Sequence, residues 1–167
     1  MTRLSSEDWF IEVERRASPE VLKAVNAAKD GYEAALGLRI AFSPVLYARF
    51  ARKTFGWGQA VSFLVQYQGD GDFEVPNNER LTYEIHGITR DNQFTVRAAF
   101  KLSHPLLPQS RPKIYQDAPE KPDSGMRRDP NYLLVEQCPD QAFSPSITEI
   151  DAVIDGLKIG NSPMKKP

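Results

Sequence analysis

Residues 81–103 show the clearest periodicity in the sequence, an alternation of apolar and polar side chains on both sides of a short polar connection. Apolar residues occupy every second position from Leu81 to Ile85 and again from Phe94 to Leu102. Such alternation is typical of β-strands that bury one face. The connection RDNQ contains Asp and Asn, which adopt turn conformations at low cost. The sequence therefore predicts an antiparallel hairpin whose apolar face must be covered by other elements.

Further strands are predicted on both sides of this hairpin. Residues 59–68 alternate in the same way, residues 38–42 do so over a shorter length, and residues 131–137 contain the compact apolar run YLLV. Residues 45–54 fit both a helical and a strand period, and we favour a short helix there because Ser43 and Pro44 precede it as a start signal. Together these segments predict an antiparallel sheet of about five strands.

Helices are predicted at both ends of the chain. Ser18 followed by Pro19 is typical of a helix start, and apolar residues then recur every three or four positions through residues 19–36. Residues 145–157 begin with Pro145 and a Ser-x-x-Glu capping box, followed by a similar apolar stripe. A third helix start is predicted in the N-terminal SSEDWF, where acidic residues follow serines.

Strands in the middle and helices at the ends predict an α+β fold, in which the helices cover the apolar face of the sheet. A chain of 167 residues with 41% hydrophobic residues is large enough for one core, so we expect a single domain over residues 1–160. Six of the 13 prolines fall in residues 105–130, which we interpret as a proline-rich connection. Residues 161–167 are expected to be a frayed tail.

Composition excludes several classes of function. A net charge of −1 with 26% charged residues argues against a dedicated nucleic-acid binder. No apolar run approaches the roughly 20 residues of a membrane helix, and no secretory signal pattern is visible. Cys138 is the only cysteine, which rules out an internal disulfide and a multi-cysteine zinc site. We therefore expect a soluble, cytoplasmic protein.

The candidate chemical groups are few. His86 shares a predicted strand face with Glu84, but both are expected to belong to a solvated sheet surface. His104 stands at a strand end before a proline, and Cys138 is interpreted as a small packed residue. The acidic GDGDFE segment lacks the later ligands of a calcium loop, and no glycine pattern fits a phosphate loop. No catalytic residue, cofactor or metal is predicted.

Two segments point instead to a protein partner. Basic residues alternate with aromatic ones in residues 49–57, and the proline-rich connection offers an extended backbone that docks at a low entropic cost. We therefore predict a non-catalytic protein-binding or assembly module. Its predicted contact residues are Arg49, Arg52, Lys53, Phe55, Trp57 and Tyr115.

Two alternatives remain open at this stage. The first is a small hydrolase-like enzyme that uses His86 with Glu84, or His104 near Cys138. The second is a carrier of a small apolar ligand held between the sheet and the helices. For the carrier, the predicted cavity wall consists of Val61, Phe63, Phe94 and Val96.

Overall fold

The computed structural model describes residues 2–26, 44–67, 76–110 and 130–159. The predicted strand 38–42, the second half of the predicted helix 19–36 and the predicted tail lie outside these ranges, as does most of the proline-rich connection. The elements are β1 (Thr2–Ser5), β2 (Trp9–Glu14), α1 (Pro19–Asn26), β3 (Pro44–Phe55), β4 (Gly58–Tyr67), β5 (Thr82–Thr89), β6 (Thr95–Lys101), α2 (Pro130–Gln137), a 3₁₀ turn (Asp140–Ala142) and α3 (Ile147–Asp155).

The six strands form one antiparallel sheet in the order β1-β2-β6-β5-β4-β3. Strands β3 to β6 follow one another as a meander, and the predicted hairpin is confirmed as β5 and β6. The N-terminal hairpin β1–β2 then extends the sheet beside β6, with Trp9 opposite Phe100 and Glu14 opposite Thr95. With its helices, this sheet confirms an α+β fold. None of the helices in the described ranges is long and apolar enough to cross a membrane.

The two faces of the sheet carry different helices. Because neighbouring side chains in a strand point to opposite faces, Val61 and Leu64 mark the two sides of β4. Helix α1 packs against Val61 of β4 and Ile88 of β5, on what we call the α1 face. Helix α3 belongs to the cluster that contains Leu64 of β4 and Ile85 of β5, on the α3 face. The structure therefore differs from the predicted arrangement, in which both helices cover the same face.

Polar contacts fix α3 on its face of the sheet. The indole Nε1 of Trp57 donates to the carbonyl oxygen of Ile154 at 2.8 Å, and the hydroxyl of Tyr83 donates to the Asp151 carboxylate at 2.9 Å. The predicted capping box is confirmed, since Ser146 and Glu149 exchange side-chain and backbone hydrogen bonds at the first turn. These bonds satisfy buried polar groups that would otherwise oppose the packing of the helix.

The start of α1 is also confirmed. Ser18 Oγ accepts a hydrogen bond from the backbone N–H of Val21 at 3.3 Å, and Pro19 is the first helical residue. The backbone N–H of Ser18 in turn donates to Thr95 Oγ1 at 2.9 Å, and this hydroxyl donates to the carbonyl oxygen of Arg16 at 2.6 Å. A single buried threonine of β6 thus fixes the chain where it enters α1.

Three predicted elements are wrong. The N-terminal segment is the β1–β2 hairpin, because pairing with β6 outweighs the acidic helix-start signal. Residues 45–54 belong to β3, where the register shifts between Ala48 and Ala51 and Arg49 adopts a φ of 54°. That bulge inserts extra residues and resets the two-residue period. Residues 131–137 form helix α2, not a strand, with Pro130 at its first position.

Candidate functional site

Two aromatic residues of the predicted partner-binding segment are part of the core. Phe55 and Trp57 are only 5% and 8% exposed, and their rings stack with centroids 5.3 Å apart. The indole N–H is satisfied by helix α3, as described above. These two side chains therefore stabilise the contact between the β3–β4 turn and α3, and they offer no surface to a partner.

Two of the three basic residues in this segment make internal contacts. The guanidinium of Arg49 donates to the carbonyl oxygen of Cys138 and pairs with the carboxylate of Asp140. Its backbone N–H donates to Glu136 Oε2 at 2.7 Å. Lys53 pairs with a carboxylate of α3, at 2.7 Å from Asp151 Oδ2.

Only Arg52 among the described contact residues is exposed. The last predicted contact residue, Tyr115, lies outside the described residues. The five described residues therefore do not form one exposed surface.

The predicted pair of Glu84 and His86 is present on the α1 face. His86 Nε2 lies 2.8 Å from Glu84 Oε2, and the hydroxyl of Tyr67 donates to Glu84 Oε1 at 2.8 Å. The imidazole also stacks on Phe63, with ring centroids 5.5 Å apart. The side chains of His86 and Glu84 are only 15% and 14% exposed, so the expectation of a solvated surface is wrong for this pair.

The tyrosines beside this pair remain protonated at neutral pH. Burial raises the pKa of Tyr67 and of Tyr47 well above the usual range, and the nearby Glu84 carboxylate raises both further. A phenol that keeps its proton acts as a hydrogen-bond donor, which is what the bond from Tyr67 to Glu84 requires.

The second histidine and the cysteine lie in separate packing environments. His104 is buried, its Nδ1 accepts from the backbone N–H of Leu106 at 3.2 Å, and its ring packs edge-on to Phe143. Burial lowers the pKa of His104 and raises the pKa of Cys138, while Arg49 partly opposes the shift of the thiol. Both groups are thus held neutral. Within the described residues, no group of three or more metal-ligating side chains is assembled.

A groove of about 410 Å³ lies on the α1 face, between α1 and the ends of the two hairpins β3–β4 and β5–β6. Its floor is apolar and consists of Leu22 and Val25 of α1 and Ile88 of β5. Gly58 and Thr89 also line the groove. The rim is polar and consists of the exposed residues Asn26, Thr54, Gln59, Arg90 and Asn92.

Strand register explains why these residues meet. Thr54 of β3 is opposite Gln59 of β4, which is opposite Ile88 of β5, which is opposite Thr95 of β6. Directly paired residues of an antiparallel sheet project from the same face. Thr95 anchors the start of α1 at one end of this row, and the helix packs on Ile88. Thr54 and Gln59 are exposed at the other end of the row.

Backbone hydrogen bonds hold the turn that carries Arg90 and Asn92 in place. The backbone N–H of Thr89 donates to the carbonyl oxygen of Phe94 at 3.0 Å, closing the hairpin, and Asn92 adopts a φ of 57°. The backbone N–H of Arg90 donates to the carbonyl oxygen of Trp57 at 3.2 Å, which joins the tips of the two hairpins. The rim of the groove is therefore built on a constrained backbone.

Most groove residues carried no functional signal in the sequence. Asp91 and Asn92 correctly marked a turn, but nothing local indicated that α1 would lie beside it. The role of Thr95 depends on a contact between β6 and the start of α1, which are far apart in the chain. Comparison of the chain with protein-family models, curated proteins and solved structures gave no match.

Proposed function

We propose that this protein is a non-catalytic carrier or sensor that binds a small amphipathic molecule in the groove on the α1 face. The observation that carries the proposal is the groove itself, which combines an apolar floor with several polar residues at its rim. Ligand sites typically have this composition and volumes of about 300–1,000 Å³. The volume of about 410 Å³ falls within this range and can hold a molecule of two fused rings.

This site differs from the cavity predicted from sequence. Val61 and Phe63 lie on the same face as the groove, but both are fully buried, Val61 in the cluster beneath α1 and Phe63 beside Tyr47 and Val65. The space for a ligand lies farther along the strands, where Thr54 and Gln59 are exposed. The carrier hypothesis is therefore kept, but the residues that line its binding site differ from the predicted ones.

The test is an NMR titration of the labelled protein with 1-naphthol, a neutral two-ring probe. We expect saturable changes in the backbone amide signals of the groove residues. Gln59→Trp places a large ring at the exposed rim and should weaken binding at least tenfold. Gln137→Trp, an exposed glutamine at the end of α2, is the matched control and should bind the probe as the unmodified protein does.

Two results would refute the proposal. One is the absence of saturable binding to the unmodified protein. The other is equal binding by Gln59→Trp and Gln137→Trp when circular dichroism shows that both variants are folded. Signal changes that centre on the α3 face would count against the groove in the same way.

Acid–base chemistry at His86 is the second candidate, supported by its hydrogen bond to Glu84 at 2.8 Å. A carboxylate that orients an imidazole is a common arrangement of general bases. The test is hydrolysis of p-nitrophenyl acetate by the unmodified protein and by His86→Gln. A rate above that of buffer that is lost in the variant supports this function, and equal rates reject it.

The predicted protein-partner surface remains a prediction, and Arg52 is the exposed member of its described contact residues. Replacing Trp57 would disturb the core, so Arg52→Glu alone is the informative variant. If the protein has a partner on this surface, the charge reversal should weaken the complex without changing the thermal stability of the free protein.

A further inference from the structure

We infer that the ligand of the groove carries a negative charge, specifically a carboxylate on an apolar body, and that Arg90 binds this carboxylate. This inference rests on the proposed function, because it specifies the chemical class of the molecule that occupies the groove. Three observations carry it: the charge of the rim, the fixed position of the turn and the arrangement of apolar and polar residues.

The rim carries one charged side chain. Of the residues that line the groove, Arg90 is the only ionisable one, and no aspartate or glutamate is among them. The ion pairs within the described residues are Arg49 with Asp140, Lys53 with Asp151 and His86 with Glu84, and none of them involves Arg90. Arg90 is exposed and lines the same groove as the apolar floor, so an anion bound there meets a cation that forms no ion pair within the described residues.

Asp91, which follows Arg90 in the sequence, forms hydrogen bonds within its own turn. Asp91 Oδ1 accepts a hydrogen bond from Thr89 Oγ1 at 2.6 Å and another from the backbone N–H of Gln93 at 3.0 Å. The backbone of Arg90 is held by its bond to Trp57. A fixed backbone reduces the entropy that the arginine side chain alone must lose on binding.

The arrangement of the groove fits a carboxylate better than an isolated inorganic anion. Leu22, Val25 and Ile88 offer apolar contact and no charge, so they favour the body of an organic acid. The side-chain amides of Gln59 and Asn92 add neutral hydrogen-bond donors at the rim. A planar guanidinium matches the two oxygens of a carboxylate with two parallel hydrogen bonds.

The experiment compares 1-naphthoate with 1-naphthol, which have the same rings and differ in charge at neutral pH. We expect the unmodified protein to bind naphthoate about three- to tenfold more tightly, as exposed charge-assisted contacts typically allow. In Arg90→Gln this preference should disappear, while the affinity for naphthol stays the same. The preference should also shrink at high salt, because salt screens exposed charges.

The matched control is Arg97→Gln, which removes an exposed arginine from the same face of the sheet outside the groove. This variant should keep the preference for naphthoate. The inference is overturned if the unmodified protein binds both probes equally, or if the preference survives in Arg90→Gln. Equal binding of both probes in the groove leaves the proposed function intact, whereas no binding of either probe refutes the proposed function itself.

Discussion

The indole of Trp57 occupies the space that a side chain on Gly87 would need. A Cβ atom added to Gly87 would overlap the ring of Trp57 and lie 2.9 Å from the Cβ of Ala60. Real Cβ atoms do not approach other heavy atoms this closely, so the ring packs directly on the backbone of β5. This contact links the turn between β3 and β4 to the centre of the sheet, and through the indole N–H to helix α3.

Gly87→Ala should therefore reduce the free energy of unfolding by about 1–3 kcal/mol, the usual cost of forcing extra atoms into a packed core. Urea unfolding followed by tryptophan fluorescence measures this change. Gly156→Ala is the control, because the nearest heavy atom to its added Cβ is 3.4 Å away and Gly156 has a helical backbone. If Gly87→Ala and Gly156→Ala unfold at the same urea concentration, the described packing of Trp57 is wrong.

Arg49→Ala should destabilise the fold by about 2 kcal/mol, because it leaves the partly buried Asp140 carboxylate and the Cys138 carbonyl without their donor. The substitution keeps a non-glycine residue at the bulge, so the backbone strain at φ 54° is unchanged. Thermal and urea unfolding provide the measurement. Arg52→Ala removes an exposed arginine from the same strand and should change the stability by less than about 0.5 kcal/mol; equal losses in both variants would contradict the internal role of Arg49.

Glu84→Ala should cost about 2 kcal/mol, since the Tyr67 hydroxyl and the His86 ring both lose a hydrogen-bond acceptor in a mostly buried position. The free energy of unfolding at neutral pH tests this expectation. Glu79→Ala, an exposed glutamate at the start of the same region, is the comparison and should be nearly neutral. A negligible loss in Glu84→Ala would mean that solvent already satisfies both partners.

The fold should become less stable below about pH 6.5, in part through His104. Burial lowers the pKa of His104 in the folded state, so the unfolded chain binds a proton first as the pH falls. The contribution of this residue is present above pH 6.5 and is lost as the pH decreases toward the folded pKa. NMR titration of the imidazole should show a midpoint below 6.5, and a midpoint at or above that value would exclude this source of acid sensitivity.

Alkaline conditions should also destabilise the protein, by ionisation of tyrosines in the unfolded state. Burial raises the pKa of Tyr47, Tyr67 and Tyr83 above the ordinary value of 10.0. Their stabilising contribution is complete below pH 10 and decreases as the pH rises, by up to about 1.4 kcal/mol per pH unit for each residue. Ultraviolet titration of the folded protein should show these phenols still protonated near pH 11, and their early ionisation without unfolding would disprove the prediction.

The sequence correctly predicted the elements whose signals lie within or next to the element itself. The strands predicted from alternation, β4, β5 and β6, are present because each pairs with its neighbour in the sequence. The helix starts of α1 and α3 were predicted because each capping signal involves residues within one turn. The predictions were wrong where a contact between residues far apart in the sequence decides the structure. β2 exists because β6 pairs with it, and the bulge at Arg49 interrupts the period of β3 while Glu136 of α2 binds its backbone N–H.

Only part of the candidate site could be predicted from the sequence. Glu84 and His86 were correctly placed on one strand face, since they are two residues apart in a regular strand. Their low exposure depends on what packs over the sheet, which sequence periodicity does not specify. The groove likewise requires α1 to start at Thr95 and to pass beside the turn at Arg90, and no short motif encodes both conditions.

The position of β2 in the sheet has a consequence for the synthesis of the chain. The β1–β2 hairpin leaves the ribosome before β6, yet residue 9 pairs with residue 100. At about 5–20 residues per second, the unpaired edge of β2 waits roughly 5 to 20 s before β6 emerges. During that interval Ile11 has no core to enter, so the nascent chain presents an open strand edge that a chaperone or a second nascent chain can bind.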